Sequence, residues 1–103
     1  MVEREYFMAS NFKIGIHGKH GHLDLRLTGD FDGTSACELL NVLKEKTCQA
    51  KMVVVDASGL KKISPFGVDT FQNNLYQLKH RSFRLLFTGN KADTIAPEQN
   101  KFF

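Results

Sequence analysis

A few aspartates and serines near predicted turns are the residues of this 103-residue chain that could do chemistry. Asp30 and Asp32 lie two residues apart, Asp56 ends an apolar run, and Ser58 and Ser64 follow it. Paired carboxylates serve in acid–base catalysis or bind hard cations. The same residue types also cap helices and form turns, and no histidine is predicted beside them. We therefore predict no catalytic residue, no metal and no cofactor.

Three histidines form a second candidate cluster, because His17, His20 and His22 fall within six residues. A metal would need at least one more ligand, such as Asp24. The surrounding turn residues favour a simpler interpretation, in which the histidines are exposed and partly protonated.

The two cysteines, Cys37 and Cys48, are too few for a disulfide scaffold. On one helix they would be about three turns apart, which is too far for a disulfide bond. We predict that both are buried or half-buried thiols that pack as small apolar groups.

The charge pattern argues against a nucleic-acid partner. The net charge is +3 at pH 7, and the basic residues are scattered except for short clusters at 61–62 and 79–81. Nucleic-acid binders usually concentrate basic residues in a stripe with exposed aromatics. No apolar run could span a bilayer, and residues 1–10 do not resemble a signal peptide. We therefore expect a cytoplasmic protein without membrane insertion.

Apolar periodicity predicts four strands. Residues 11–17 and 22–27 alternate apolar and polar positions, and the glycine-containing segment 18–21 between them predicts a hairpin turn. The β-branched run at 52–55 is typical of a strand buried on both faces, and residues 83–88 predict another. Segments 28–34 and 57–62 are predicted to be loops.

Capping signals predict the helices between these strands. Ser35 and Glu38 match a capping box for a helix that continues to about Cys48. Ser64 as N-cap and Pro65 at the first helical position predict a second helix that ends near residue 80. A short helical stretch at 91–96, capped by Asn90 and stopped by proline, follows the last strand.

The resulting order, β-β-α-β-α-β with a short helical end, predicts a single α/β domain over residues 1–103. Residues 1–10 would be an N-terminal extension and residues 97–103 a tail. Strands joined through helices are expected to be parallel neighbours, with the first strand antiparallel at one side. The prediction is therefore a mixed four-stranded sheet with its helices packed on one face.

Three segments in this order resemble the STAS family, whose members include antagonists of bacterial anti-sigma factors. Residues 27–32 resemble the family's apolar-x-Gly-Glu-Leu-Asp turn, and residues 53–60 its buried strand ending in Asp-x-Ser-Gly-apolar. Residues 63–68 lie where the family has apolar-Asp-Ser-Ser-Gly-apolar. The resemblance covers roughly residues 12–88 and implies a STAS-like (SpoIIAA-like) fold.

The resemblance also implies a phosphorylation switch, from which this sequence departs. In the family, the second serine of the Asp-Ser-Ser-Gly segment accepts phosphate and so controls partner binding. Here that position is Phe66, the preceding serine is Pro65, and the aspartate is Ser64. Phe66 cannot be phosphorylated, which leaves Ser64 as a weak alternative acceptor that already serves as a predicted N-cap.

Phe66 has two interpretations, an exposed anchor for a partner or a residue that fills the core. The resemblance implies a partner-binding edge at one end of the sheet. Its predicted members are Asp30, Asp32, Gly33, Thr34, Ser58, Ser64, Pro65, Phe66 and Gly67.

The leading hypothesis is thus a non-catalytic protein-interaction module that resembles an anti-sigma-factor antagonist and lacks the serine switch. Its partner would be an anti-sigma-type kinase or another regulatory protein, with a homodimer left open. The alternatives are a small ligand- or nucleotide-binding domain built on the aspartates, or a STAS subunit of a transport or sensor complex.

Overall fold

Five strands and three helices make up the described part of the chain. The computed structural model describes residues 2–9, 11–46, 50–78 and 83–97, with side chains from residue 11 onward. The elements are β1 (Val2–Ala9), β2 (Phe12–Lys19), β3 (His22–Phe31), α1 (Gly33–Lys46), β4 (Met52–Ile63), α2 (Pro65–Leu75) with a 3₁₀ turn (Tyr76–Leu78), β5 (Arg84–Thr88) and α3 (Ala92–Ile95). None of these helices is long and apolar enough to cross a bilayer.

The strands form one mixed sheet in the order β1-β2-β3-β4-β5. β1, β2 and β3 pair antiparallel, whereas β3, β4 and β5 pair parallel. The α/β class and the arrangement of the four predicted strands, β2 to β5, are therefore confirmed. The segment predicted as an extension supplies a further strand, β1, so the sheet has five strands rather than four. An extended segment pairs there because the outer edge of β2 would otherwise leave its backbone groups unpaired.

Two segments predicted to be loops continue as strand. β3 runs on to Phe31 and β4 to Ile63, and these two residues face each other at the end of the parallel ladder. The prediction was wrong because turn-forming residues were taken to end the strands. Gly29 instead adopts a φ of 97° at a place where the β3–β4 register shifts, so the strand bends without ending.

The hydrophobic core lies on one face of the sheet, under the helices. Buried side chains alternate along β2, β3 and β4, so β4 is fully buried on one face only and Val54 on its other face is half-buried. A chain of edge-to-face ring contacts, with centroids about 6 Å apart, joins the sheet to α2 through Phe12, Phe31, Phe71 and Phe87. Such contacts contribute about 1 kcal/mol each beyond the burial of apolar area.

The helix starts follow prediction in one case and differ in two. α2 begins at Pro65 with Ser64 as its N-cap, as predicted. α1 begins at Gly33, so fully buried Ser35 lies inside the helix and is not its cap. α3 follows Lys91 rather than Asn90, and no side chain caps it.

The predicted hairpin turn joins β2 and β3. The hairpin turn has two residues, His20 and Gly21, both with positive φ, which matches the right-handed twist of the strands.

Cys37 is exposed, contrary to prediction, because α1 turns that position away from the core. Cys48, the basic cluster at 79–81 and the predicted tail beyond residue 97 lie outside the described residues.

We expect Gly29→Ala to destabilise the fold by roughly 3 kcal/mol. A Cβ at this position would come 1.6 Å from the Asn11 carbonyl oxygen, and the φ of 97° is unfavourable for alanine. Urea unfolding followed by circular dichroism would measure the loss. Gly15→Ala is the matched control, because a Cβ there would come no closer than 3.8 Å to the side chains that the structure describes. Equal stabilities for the two variants would contradict the role of Gly29.

Candidate functional site

The N-termini of α1 and α2 lie side by side at one end of the sheet. α1 follows β3 and α2 follows β4, and these strands are parallel neighbours that end at the same edge. The Ser64 N–H donates to the Phe31 carbonyl oxygen at 2.9 Å, which ties the start of α2 to the end of β3. The sheet therefore brings together two of the three predicted motif segments.

Asp32 is the N-cap of α1. Its Oδ1 accepts hydrogen bonds from the Ser35 N–H at 2.9 Å and from the Ser35 hydroxyl at 3.0 Å. The backbone hydrogen bond from Ser35 is the main cause that lowers the pKa of Asp32, against a partly opposing effect of desolvation. Asp32 therefore stays ionised and fixes the first turn of the helix.

Ser35 and Asn11 have structural roles at this edge that the sequence did not reveal, since Ser35 was predicted to be a helix cap. The buried Ser35 hydroxyl lies 2.7 Å from the Asp30 carbonyl oxygen as well as 3.0 Å from Asp32 Oδ1. Asn11 Nδ2 donates to Asp30 Oδ2 at 3.2 Å, and the Lys62 N–H donates to Asp30 Oδ1 at 3.3 Å. Only the Asp-x-x-Ser spacing could have indicated Ser35, whereas Asn11 comes from a distant part of the chain.

Ser64 and Gly67 fix the start of α2 against α1. Ser64 Oγ accepts from the Gly67 N–H at 3.0 Å, as an N-cap does. A Cβ on Gly67 would lie 2.7 Å from the Asp32 carbonyl carbon, so a glycine is needed where the two helix starts meet. The Ser-Pro-x-Gly segment therefore sets both the beginning of α2 and its distance from Asp32.

Phe66 is the most exposed large apolar side chain among the described residues, with 71% of its surface accessible. Its ring lies over Gly33, where an added Cβ would come 2.8 Å from Cε2. Pro65 and Thr34 beside it are also exposed. Of the two interpretations left open by the sequence, the core-filling one is therefore wrong, because the first turn of α2 directs position 66 to solvent.

Ser58 and Asp56 lie away from this edge. The Ser58 N–H donates to Asp56 Oδ1 at 3.0 Å, and the Ser58 backbone packs against Gly89. Five strand residues lie between Ser58 and Ser64, which places the two serines on the order of 15 to 20 Å apart. Ser58 is therefore not part of the partner-binding edge, contrary to prediction, because β4 continues where a loop was expected.

The metal candidates do not assemble among the described residues. No three His, Cys, Asp or Glu side chains there are placed to hold one ion. His22 Nε2 instead pairs with Asp24 Oδ1 at 2.9 Å on the exposed surface. His17, on β2, lies opposite Asp24, on β3.

Comparison with known proteins adds evidence on the fold alone. No protein-family model matches the chain, and no curated protein matches it. Among solved structures, the chain is similar to part of one described as a crystal structure analysis of Mglu, with a TM-score of 0.63 and 17% sequence identity. The match covers 82% of this chain and 19% of that one. It supports an α/β fold for a unit of this size.

We expect Asp32→Ala to cost about 1 kcal/mol of stability through loss of the N-cap. Chemical denaturation at neutral pH would measure the change. Asp69→Ala, which removes an exposed carboxylate from α2, is the control and should stay within about 0.5 kcal/mol of the wild type. Equal effects of the two substitutions would contradict the capping role.

The lowered pKa of Asp32 predicts a pH-dependent contribution to stability. The unfolded chain has a higher Asp pKa, about 3.9, so the contribution is complete above that pH and is lost as pH falls through the folded-state pKa. Asp32→Asn keeps a capping side chain that does not titrate. The free energy of unfolding of the wild type, minus that of Asp32→Asn, should therefore decrease as the pH is lowered below about 4. A pH-independent difference would contradict this prediction.

Proposed function

We propose that this chain is a non-catalytic STAS-like module that binds a regulatory protein through the edge formed by the starts of α1 and α2. The exposed ring of Phe66 is the observation that carries the proposal. The module resembles an anti-sigma-factor antagonist in a cytoplasmic regulatory pathway, with an anti-sigma-type kinase or a related protein as partner.

The surroundings of Phe66 support a role as an anchor. A large aromatic side chain in water is unfavourable, and burial in a partner's pocket would release most of that cost. The residue is held by a helix start that Pro65 and the Ser64 cap both stiffen, so little conformational entropy would be lost on binding. Ionised Asp32 precedes Gly33, over which the ring lies, and adds a negative charge at the same edge that a basic partner group could contact.

The same residues favour a binding surface without phosphorylation control. Phe66 has no hydroxyl, and Pro65 removes the neighbouring one. Ser64 keeps its hydroxyl, but Oγ is engaged with the Gly67 N–H inside the crowded helix start. A phosphate on Ser64 would replace this cap and place about two negative charges near Asp32. We therefore propose that binding is constitutive and depends on Phe66.

Affinity capture with wild-type and variant chains tests the proposal. A tagged wild-type chain, mixed with extract from its native cells, should retain a specific protein. Phe66→Asp should reduce its retention by roughly tenfold or more, because a charge replaces a central aromatic anchor.

Leu86→Asp is the matched control, since Leu86 is also exposed but lies on β5, away from the helix starts. It should retain the partner as the wild type does, and circular dichroism should show both variants folded. Equal capture by Phe66→Asp and wild type, or no specific capture by wild type, would overturn the proposal.

A further inference from the structure

The sheet face opposite the helices carries a depression of about 430 Å³. We call this side the open face; its side chains are those that alternate with the buried ones on β2 to β5. Residues from all four of these strands line the depression. Its volume lies within the range of small-molecule sites, roughly 300–1,000 Å³.

Arg26 on β3 is one of the residues that line the depression. The strand register places it opposite Gly15 on β2 and Asp56 on β4, and Asp56 in turn is opposite Thr88 on β5. Asp24 is two residues away on the same strand and therefore on the same face. The Arg26 guanidinium therefore has carboxylates on two sides, from Asp24 and Asp56, and Gly15 on the third.

Both carboxylates already have hydrogen-bond partners elsewhere. Asp24 Oδ1 pairs with His22 Nε2 at 2.9 Å, and Asp56 Oδ1 accepts from the Ser58 N–H at 3.0 Å. The exposed Arg26 side chain makes no hydrogen bond or ion pair with any residue that the structure describes. Its five donors match the geometry of a phosphate or carboxylate group, which guanidinium binds in a bidentate manner.

Gly15 leaves room for such a group beside Arg26. Among the side chains that the structure describes, the nearest atom to a Cβ at this position would be Arg26 Cβ at 3.8 Å, so the absent side chain leaves space beside Arg26. The other lining groups include Thr28, Asp56 and Thr88, whose oxygens can accept hydrogen bonds from hydroxyl groups.

From this arrangement, we propose that the open face binds a small polyhydroxylated molecule with a single oxyanion group, as in a sugar phosphate or a sugar acid. The oxyanion contacts Arg26 above Gly15, and the ligand's hydroxyls donate to Asp24, Asp56 and the threonines. This inference is independent of the proposed partner-binding edge, because the two sites lie on different parts of the molecule.

The charges of the lining residues that the structure describes favour this ligand class. Among these residues, Lys13 and Arg26 are basic, Asp24 and Asp56 are acidic, and His17 also lines the depression. A ligand with several negative groups would be repelled by the carboxylates, and a cation by the two basic residues. A ligand with one oxyanion and several neutral hydroxyl donors can bind both the basic residues and the carboxylates.

Isothermal titration calorimetry on the full chain tests this proposal with four probes: glucose 6-phosphate, gluconate, glucose and inorganic phosphate. Glucose 6-phosphate or gluconate should bind, and comparison of the two identifies the preferred oxyanion. Glucose and phosphate alone should bind at least roughly tenfold more weakly, because each lacks half of the contacts.

Variants of the depression locate the binding. Arg26→Gln should weaken it by roughly tenfold or more, and Gly15→Val should abolish it by filling the floor. Gly15→Val is compatible with the strand, since valine favours extended backbone and the position has clearance. Arg84→Gln, an equal loss of charge on the β5 edge outside the lining, should leave binding unchanged.

Failure of both charged sugars to bind at millimolar concentration would overturn the proposal. So would binding that Arg26→Gln leaves unchanged, or glucose or phosphate binding as tightly as the charged sugars. Loss of partner capture in Phe66→Asp has no bearing on this result, so the two proposals fail separately.

Discussion

The parallel pairing of β3 with β4, continued to Phe31 and Ile63, is the constraint on which the rest of the structure depends. Both strands end at the same edge of the sheet, so the helices that follow them must begin side by side. The hydrogen bond from the Ser64 N–H to the Phe31 carbonyl oxygen fixes their spacing. The two caps, Asp32 and Ser64, then satisfy the N–H groups that each helix start leaves without partners.

This geometry explains why Phe66 is exposed. Pro65 and the Ser64 cap define the first turn of α2, and Gly67 must face Asp32 because only a glycine fits that contact. With position 67 directed inward, its neighbour at 66 is directed outward over Gly33. A strongly apolar side chain is thus held in water by the same contacts that join the two helices, which is the physical basis of the proposed partner-binding edge.

The two faces of the sheet have different physical characters. The face under the helices is filled by aliphatic side chains and by a series of phenylalanine contacts, and it provides the stability of the fold. The open face carries charged and hydroxyl groups on the sheet backbone. Arg26 lies there between Asp24 and Asp56, whose carboxylates form hydrogen bonds with other residues. A rigid, polar and concave surface can hold a ligand at little conformational cost. The fold therefore offers two independent surfaces, one at the helix starts and one on the sheet.

The sequence by itself determined the local elements, because their signals are local. Alternation gave the hairpin strands, and Ser64-Pro65 gave the start of α2 to the residue. The tertiary structure alone decided where β3 and β4 end, since Gly29 is a turn-forming residue by type but lies opposite Phe12 on β2 and Leu60 on β4 in the sheet. It likewise decided that β1 joins the sheet, that Ser58 lies away from the edge, and that Phe66 faces water. These features depend on contacts between residues far apart in the chain, such as Asn11 with Asp30 and Gly67 with Asp32, which no local pattern encodes.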